Sequence, residues 1–257
     1  TMREIKCRTA PSLGGGFAGT PEQVWGTPPY YPETDLKKPC VFFGLYGLPD
    51  FYALWRHKGK RWILWAGSDI RHFTHGYWLD DKGNVKIGVE PLARWINENC
   101  ESWVENTVEY EALEKVGIES KICPSFLGDV NDYQPQSIEE KPRYYSSVSG
   151  NDFKLYGWDK INKIAEQNPE IEYHLYGGTI PWKASPNVIV KGRVPPEQMN
   201  EEIKSMTGAI RMTKFDGFSE LIAKSILWGQ KPISLIPYDY TRKSLLKIIN
   251  KYPWNAK

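Results

Sequence analysis

The chain lacks several features that would assign it to a class at once. No apolar run approaches the ~18 residues of a membrane-crossing helix, so none is expected. The N-terminal residues show no charged segment leading into an apolar core and a small-residue cleavage site, so no secretory signal is visible. A cytoplasmic location is the expectation. Excess charge of one sign is missing too: 33 Lys and Arg face 31 Asp and Glu, a formal net charge of +2. A protein bound through nucleic-acid phosphates carries a larger or more clustered basic excess, so no nucleic-acid partner is expected. Cysteine is scarce and scattered, at Cys7, Cys40, Cys100 and Cys123, with no Cys-x-x-Cys pair. That pattern argues for reduced, partly buried thiols over a disulfide framework or a zinc site. No Gly-x-Gly-x-x-Gly follows a strand pattern, which disfavours a dehydrogenase. The glycine-rich turn from Pro11 to Gly19 has no Lys-Ser/Thr after its glycines and is not a P-loop.

What is present is ordinary in bulk and unusual in one respect. The 257 residues are 40% hydrophobic and 25% charged, as in globular proteins. They also include 11 Trp and 15 Tyr. Aromatic faces pack well on sugar rings, and they serve equally well as core.

Residues 1–40 read as loop-rich, with Thr27-Pro-Pro-Tyr-Tyr-Pro too rich in proline for regular structure. Short apolar runs then alternate with helical spacing. Strands are expected at Cys40–Tyr46, Lys60–Trp65, Ser102–Val104 and Ile118–Phe126. Helices are expected at Asp50–His57, Pro91–Asn99 and Thr107–Val116. A polar stretch without periodicity follows, and alternation restarts at Arg143. Such alternation indicates an α/β fold with parallel sheets. The expected organisation is a first α/β domain over 1–130, a linker over 131–142, a second α/β domain over 143–240 and a C-terminal helix over 241–257. Two Rossmann-like domains facing a cleft would offer a common kind of ligand site.

One stretch orders the rest. Gly208–Met212 reads as a strand, Asp216-Gly217 as a turn, and Ser219 or Asp216 as the cap of a helix that ends at Gly229. A strand, a Gly turn and a helix N-terminus direct N–H groups at one point, an arrangement suited to a diphosphate. An ordinary βα turn has the same signature.

The second half resembles the donor-binding domain of retaining GT-B glycosyltransferases of the family-4-like group. The resemblance rests on order as well as on residues, over about 143–237. It begins with a Lys-containing loop (Asn151-Asp-Phe-Lys154-Leu-Tyr-Gly157) and a strand ending in Gly177-Gly178. Then come Val188-Ile-Val-Lys-Gly192-Arg193, Arg211-Met-Thr-Lys-Phe-Asp216-Gly-Phe-Ser, and Leu227-Trp-Gly229-Gln-Lys-Pro232. In the first half, Trp65-Ala-Gly-Ser-Asp69 is similar to an acceptor-domain loop of some members.

The resemblance implies a hexosyltransferase that takes a nucleoside-diphosphate sugar (UDP- or GDP-sugar), works without a metal or other cofactor, and retains anomeric configuration. The acceptor would be a glycan, lipid or protein. Lys154 and Arg211 would neutralise the diphosphate. Asp216 would contact donor-sugar hydroxyls, and Gly217, Phe218 and Ser219 would offer main-chain amides. Gly192 and Arg193 lie where the base is read, and Gly15 and Gly16 sit in a loop that would close over the phosphates. Asp69 and His72 are the acceptor-side candidates, with Ser68 and His75 beside them. Each has a plainer alternative: Arg211 an interdomain ion pair, Lys154 a solvated lysine, Asp216 a helix cap, His72 a surface histidine.

One position departs from the pattern. Lys224 stands where the family commonly has a ribose-binding Glu, and Glu220 one turn earlier is the candidate substitute. Lysine cannot accept the hydroxyl hydrogen bonds that a carboxylate accepts. The chain is also short for the group, which reads as a compact or truncated member. A non-catalytic nucleotide-sugar or glycan-binding protein and a nucleotide-sugar epimerase are the alternatives. The last helix, with Leu245, Leu246, Ile248 and Ile249 beside Lys243, Lys247 and Lys251, either packs on the core or lies peripherally on a membrane.

Overall fold

A computed structural model describes residues 4–14, 17, 19–74, 88–148 and 152–257. The chain divides into two compact units, one of residues 1–127 with 248–257 and one of residues 128–247.

The first unit holds a parallel sheet in the order β1-β2-β3-β4-β5. Its strands are β1 (Lys6–Thr9), β2 (Cys40–Phe43), β3 (Arg61–Leu64), β4 (Glu101–Val104) and β5 (Ser120–Ile122). Its helices are α1 (Thr20–Trp25), α2 (Pro32–Asp35), α3 (Leu48–Arg56), α4 (Ser68–Thr74), α5 (Val89–Asn99) and α6 (Thr107–Glu114). Side chains alternate across a strand, so β2 and β3 feed two cores. Phe42 and Ile63 join Trp65, Phe73, Ile96 and Leu113 on one face. Val41, Phe43, Trp62 and Leu64 meet Trp25, Tyr252 and Trp254 on the other. The chain's last ten residues thus belong to this unit. Trp254 is wholly buried, stacked on Tyr252 at 4.5 Å and edge-on to Trp25 at 5.9 Å. Much of the aromatic surplus is therefore core: Trp25, Trp65, Trp158 and Trp254 are all fully enclosed.

Several expected elements change here. The loop-rich start contains strand β1, which extends the sheet beyond β2 although it reads Lys-Cys-Arg-Thr. Long charged side chains can leave an apolar edge while their stems pack. Lys6 does so, reaching Asp35 at 3.8 Å and Glu4 at 3.3 Å. The proline-rich segment also yields α2, because Pro32 occupies the first helical turn, where a missing N–H costs nothing. The strand expected over Ile118–Phe126 is only β5, and Ser68-Asp69 opens α4 and is not a loop. All four cysteines are free thiols.

The second unit holds a parallel sheet in the order β10-β9-β6-β7-β8. Its strands are β6 (Arg143–Ser147), β7 (Glu172–Tyr176), β8 (Val188–Gly192), β9 (Gly208–Arg211) and β10 (Ile233–Ser234). The helices are α7 (Trp158–Gln167), α8 (Pro196–Ile203), α9 (Glu220–Leu227) and α10 (Arg242–Ile248). Trp158, Ile161 and Ala165 of α7 pack on Tyr173, Leu175 and Ile210 of the sheet. The polar stretch before β6 runs along this unit, with Gln136 N–H donating to Trp228 O and Glu139 N–H to Ser205 O. Leu245 of α10 is fully buried and Ile249 nearly so. No helix among the described residues is long and apolar enough to cross a membrane.

The strand order of this second sheet marks a candidate site. The chain builds β6, β7 and β8 outward in one direction, then returns to lay β9 against the other side of β6. Order reverses between β6 and β9. In open parallel sheets, ligands bind outside the carboxyl ends of the strands at such a reversal.

Candidate functional site

At that reversal two loops leave the sheet edge, one after β6 and one after β9. The first carries Lys154 and the second Asp216. Arg211, the last residue of β9, lies between them. Its Nε donates to Asp216 Oδ2 at 2.6 Å and its Nη2 to Asp216 Oδ1 at 3.1 Å. Its Nη1 donates to the carbonyl of Ser147, the last residue of β6, at 2.7 Å. The guanidinium also lies 4.2 Å from the centre of the Tyr156 ring. Both charged side chains are largely enclosed, Arg211 at 10% and Asp216 at 14% exposure. Bidentate charge-assisted pairs of this kind are among the stronger hydrogen bonds in proteins. Arg211 thus pairs inside the second unit, and Asp216 already matches the positive charge that it would bring to a diphosphate.

Local chemistry holds the loop after β9. Phe215 N–H donates to Thr213 Oγ1 at 3.0 Å, a side-chain turn. Ser219 caps α9 and accepts from Ile222 N–H. Phe218 is buried edge-on to Tyr238 at 4.8 Å and Tyr240 at 5.8 Å, and the Tyr238 hydroxyl donates to Gly217 O. Lys214 and Lys154 are exposed.

Glycine lets the loops come this close. Gly157 has φ +76°, and a Cβ placed there would lie 2.1 Å from Met212 O, just past the end of β9. Gly177 has φ +90°, and a Cβ there would lie 2.1 Å from Val148 O. Gly177 N–H donates to Gly192 O at 2.7 Å, joining the ends of β7 and β8. Arg193, next in the chain, is exposed.

Lys224 points its ammonium at Asn200 Oδ1 of α8, at 3.2 Å, and lies 5.6 Å from the Tyr133 ring. Burial lowers its pKa, and Glu220 one turn earlier opposes that shift. The departure found in the sequence is thus built into the packing of α9 against α8 and the segment before β6.

In the first unit, the acceptor-side candidates separate. Asp69 is fully buried. Its Oδ1 accepts from the N–H groups of Ala66 (3.0 Å), Gly67 (3.0 Å) and Ile70 (2.9 Å), and its Oδ2 from Leu45 N–H (2.8 Å). Burial pushes this carboxyl up to about 6, against the pull of those four donors. Asp69 ties the loop after β3 to the loop after β2 and is not presented at the surface. His72, one turn along α4, is exposed, its ring 6.0 Å from that of Tyr46. Ser68 Oγ donates to the Tyr46 hydroxyl at 3.0 Å. Burial, aided by the Asp69 charge, pushes that phenol up to about 12. Gly15, Gly16 and His75 lie outside the described residues. Among the described residues no group of three His, Cys, Asp or Glu side chains could hold a metal ion. An apolar cavity of about 450 Å³ between α3 and α5, lined by Phe51, Tyr52, Trp55 and Trp95, has no carboxylate, imidazole or basic side chain in its lining.

Sequence reading did not single out Tyr156, the Ser147 carbonyl or Tyr238. Tyr156 had a signal in its place between Lys154 and Gly157, and the other two had none.

No family model matches the chain, and no curated protein matches it in sequence. Solved structures do match. The crystal structure of TarM aligns with a TM-score of 0.52 at 12% identity, over 79% of this chain and 42% of that one. An S. aureus TarM variant, in complex with fondaparinux, alpha-GlcNAc-glycerol and UDP, gives 0.53 at 12% identity, over 81% and 43%. Sucrose-phosphate synthase from Thermosynechococcus elongatus gives 0.50 at 11%, over 76% and 55%. The fold is of the GT-B type. The chain spans about half the length of these structures or less, and at these identities the likeness is one of fold.

Proposed function

We propose that the protein is a glycosyltransferase that moves a hexose from a nucleoside-diphosphate sugar to an acceptor, without a metal and with retention. The observation that carries this is the Arg211–Asp216 pair at the strand-order reversal of the second sheet, with Lys154 exposed on the adjoining loop. A TarM structure with the same fold contains UDP, which supports a nucleotide ligand.

In the reaction the anomeric carbon–oxygen bond to the diphosphate breaks. The acceptor oxygen bonds to that carbon on the same face and gives up its proton. Negative charge grows on the leaving diphosphate, and groups that meet it there lower the barrier. Lys154 and the main-chain amides of Gly217, Phe218 and Ser219 fill that role. Asp216, held rigid by Arg211, meets hydroxyls of the donor sugar. A carboxylate accepts from a pair of hydroxyls, and fixed acceptors select sugars better than mobile ones. Gly192 and Arg193 lie toward the base. His72, on α4, positions the acceptor or takes its proton, and Asp69 fixes the loop that leads into that helix.

The test is binding and turnover of UDP-, GDP- and ADP-sugars in EDTA. Turnover that falls in Asp216→Ala and Lys154→Ala, with circular dichroism unchanged, supports the assignment. If no sugar nucleotide binds or reacts, the assignment fails. Binding without turnover would point to a nucleotide-sugar-binding protein, which the engagement of Lys224 with Asn200 and Tyr133 also favours.

A further inference from the structure

We propose that Tyr156 is a positioning residue that fixes Asp216 through Arg211, and so governs recognition of the donor sugar more than that of the diphosphate. This rests on the nucleotide-sugar assignment above.

A guanidinium presents hydrogen-bond donors at its edges and a flat face for stacking. Arg211 uses both. Its edges go to Asp216 and Ser147, and its face meets Tyr156. The two edge contacts leave the plane free to tilt about them, and the ring stops that tilt. Arginine carries considerable rotamer freedom, so a face contact that removes one mode of motion sharpens the position of whatever the edges hold. Here that is Asp216.

The ring itself has a firm base. Tyr156 N–H donates to Asp152 O at 3.1 Å, Gly157 N–H to Lys154 O at 3.0 Å, and Trp158 N–H to Phe153 O at 2.9 Å. The turn is pinned on one side by Trp158, which is wholly buried, and on the other by the close approach of Gly157 to Met212. Lys154 lies in the same turn. Tyr156 therefore ties the loop that would hold the diphosphate to the loop that would hold the sugar.

The assay is calorimetry on the full chain with UDP-glucose, GDP-glucose and ADP-glucose, each against its parent diphosphate. The tightest pair is then measured on Tyr156→Phe and Tyr156→Leu, with Tyr156→Met standing in should the leucine variant not fold. Tyr156→Phe keeps the ring and should bind both ligands within about twofold of wild type. Tyr156→Leu should weaken the sugar nucleotide about tenfold and the bare diphosphate little, as befits a partly enclosed cation–aromatic contact. Equal loss for both ligands, or loss for neither, overturns the proposal. A second readout needs no ligand. The Arg211 Nε–Hε proton lies beside an aromatic ring, so its resonance should move in Tyr156→Leu and stay in Tyr156→Phe. A resonance unmoved by Tyr156→Leu overturns the clamp. Failure of the wild-type chain to bind any of the six nucleotides would sink the functional assignment itself, with the resonance still judging the clamp.

Discussion

Alanine at Gly157 would test whether the two loops of the second unit need their close approach. Two costs add. Gly157 sits at φ +76°, a left-handed conformation that costs a residue with a Cβ roughly 1–2 kcal/mol. The new Cβ would also stand 2.1 Å from Met212 O, 2.6 Å from Met212 Cβ and 2.7 Å from the Met212 carbonyl carbon. Ordinary contact begins near 3.4 Å, so one loop must retreat by more than an ångström. Forced overpacking of this kind costs roughly 1–3 kcal/mol. The sum is about 2–5 kcal/mol, a large part of the 5–15 kcal/mol typical of a folded domain. Gly192 supplies the control. Its φ is +68°, but nothing lies within 4 Å of a Cβ built there, so Gly192→Ala carries only the conformational cost of roughly 1–2 kcal/mol. Urea unfolding of both variants, followed by far-ultraviolet circular dichroism, separates the two costs. Gly157→Ala should have the lower midpoint. If it is no less stable than Gly192→Ala, the close approach to Met212 is not what holds the loops together.

Two further outcomes follow from buried groups of the first unit. Asp69→Ala orphans four main-chain N–H groups in a site closed to solvent, and each orphan costs roughly 1–3 kcal/mol unless water enters. Stability in urea should fall by at least about 3 kcal/mol, and a change under about 0.5 kcal/mol would show that the loops after β2 and β3 do not need the carboxylate. His57 is wholly enclosed, its Nδ1 3.1 Å from the Tyr30 hydroxyl, and burial lowers its pKa below the usual 6.5. The unfolded chain then binds the proton more readily, so stability is complete above pH 6.5 and is lost as pH falls through the lower, folded value. Between pH 7.5 and 5.5 the urea midpoint of His57→Gln should change less steeply with acid than that of wild type, and parallel slopes would refute the contribution.

The alternation of strand and helix was legible because a parallel strand buried on both faces must be apolar throughout. Cys40-Val-Phe-Phe can be little else, and it lies at 0–8% exposure. Strand β1 was not legible, because it leaves an edge with Lys6 and Arg8 in it, and their charges are met by Asp35 and Asp50, far along the chain. Helix α2 was hidden by the prolines that surround its first turn. The same division runs through the candidate site. Residue types and capping chemistry are local, so a helix cap at Ser219 or Asp216 could be read from the sequence, and the cap falls at Ser219. Partners are not local. Nothing in the spelling Ser-Asp at residues 68 and 69 says whether the carboxylate faces solvent or the N–H groups of its own loop. Nothing in Lys224 says that its ammonium goes to Asn200.

Arg211 shows most clearly why. Asp216 lies five positions beyond it, a spacing that fits an ion pair, two separate ligands or neither. What decides among them is the Ser147 carbonyl, 64 residues earlier, and the Tyr156 ring. Both stand beside Arg211 only because the chain, after building β8, crosses back over β6 to form β9. A crossover is a property of the whole sheet and leaves no mark on any one segment. The chemistry proposed for this site thus depends on a topological choice, and the few residues that make that choice possible include the glycine against Met212. That is why a substitution at Gly157, which carries no functional group, should disturb the order of Arg211 and Asp216 as well as the stability of the unit around them.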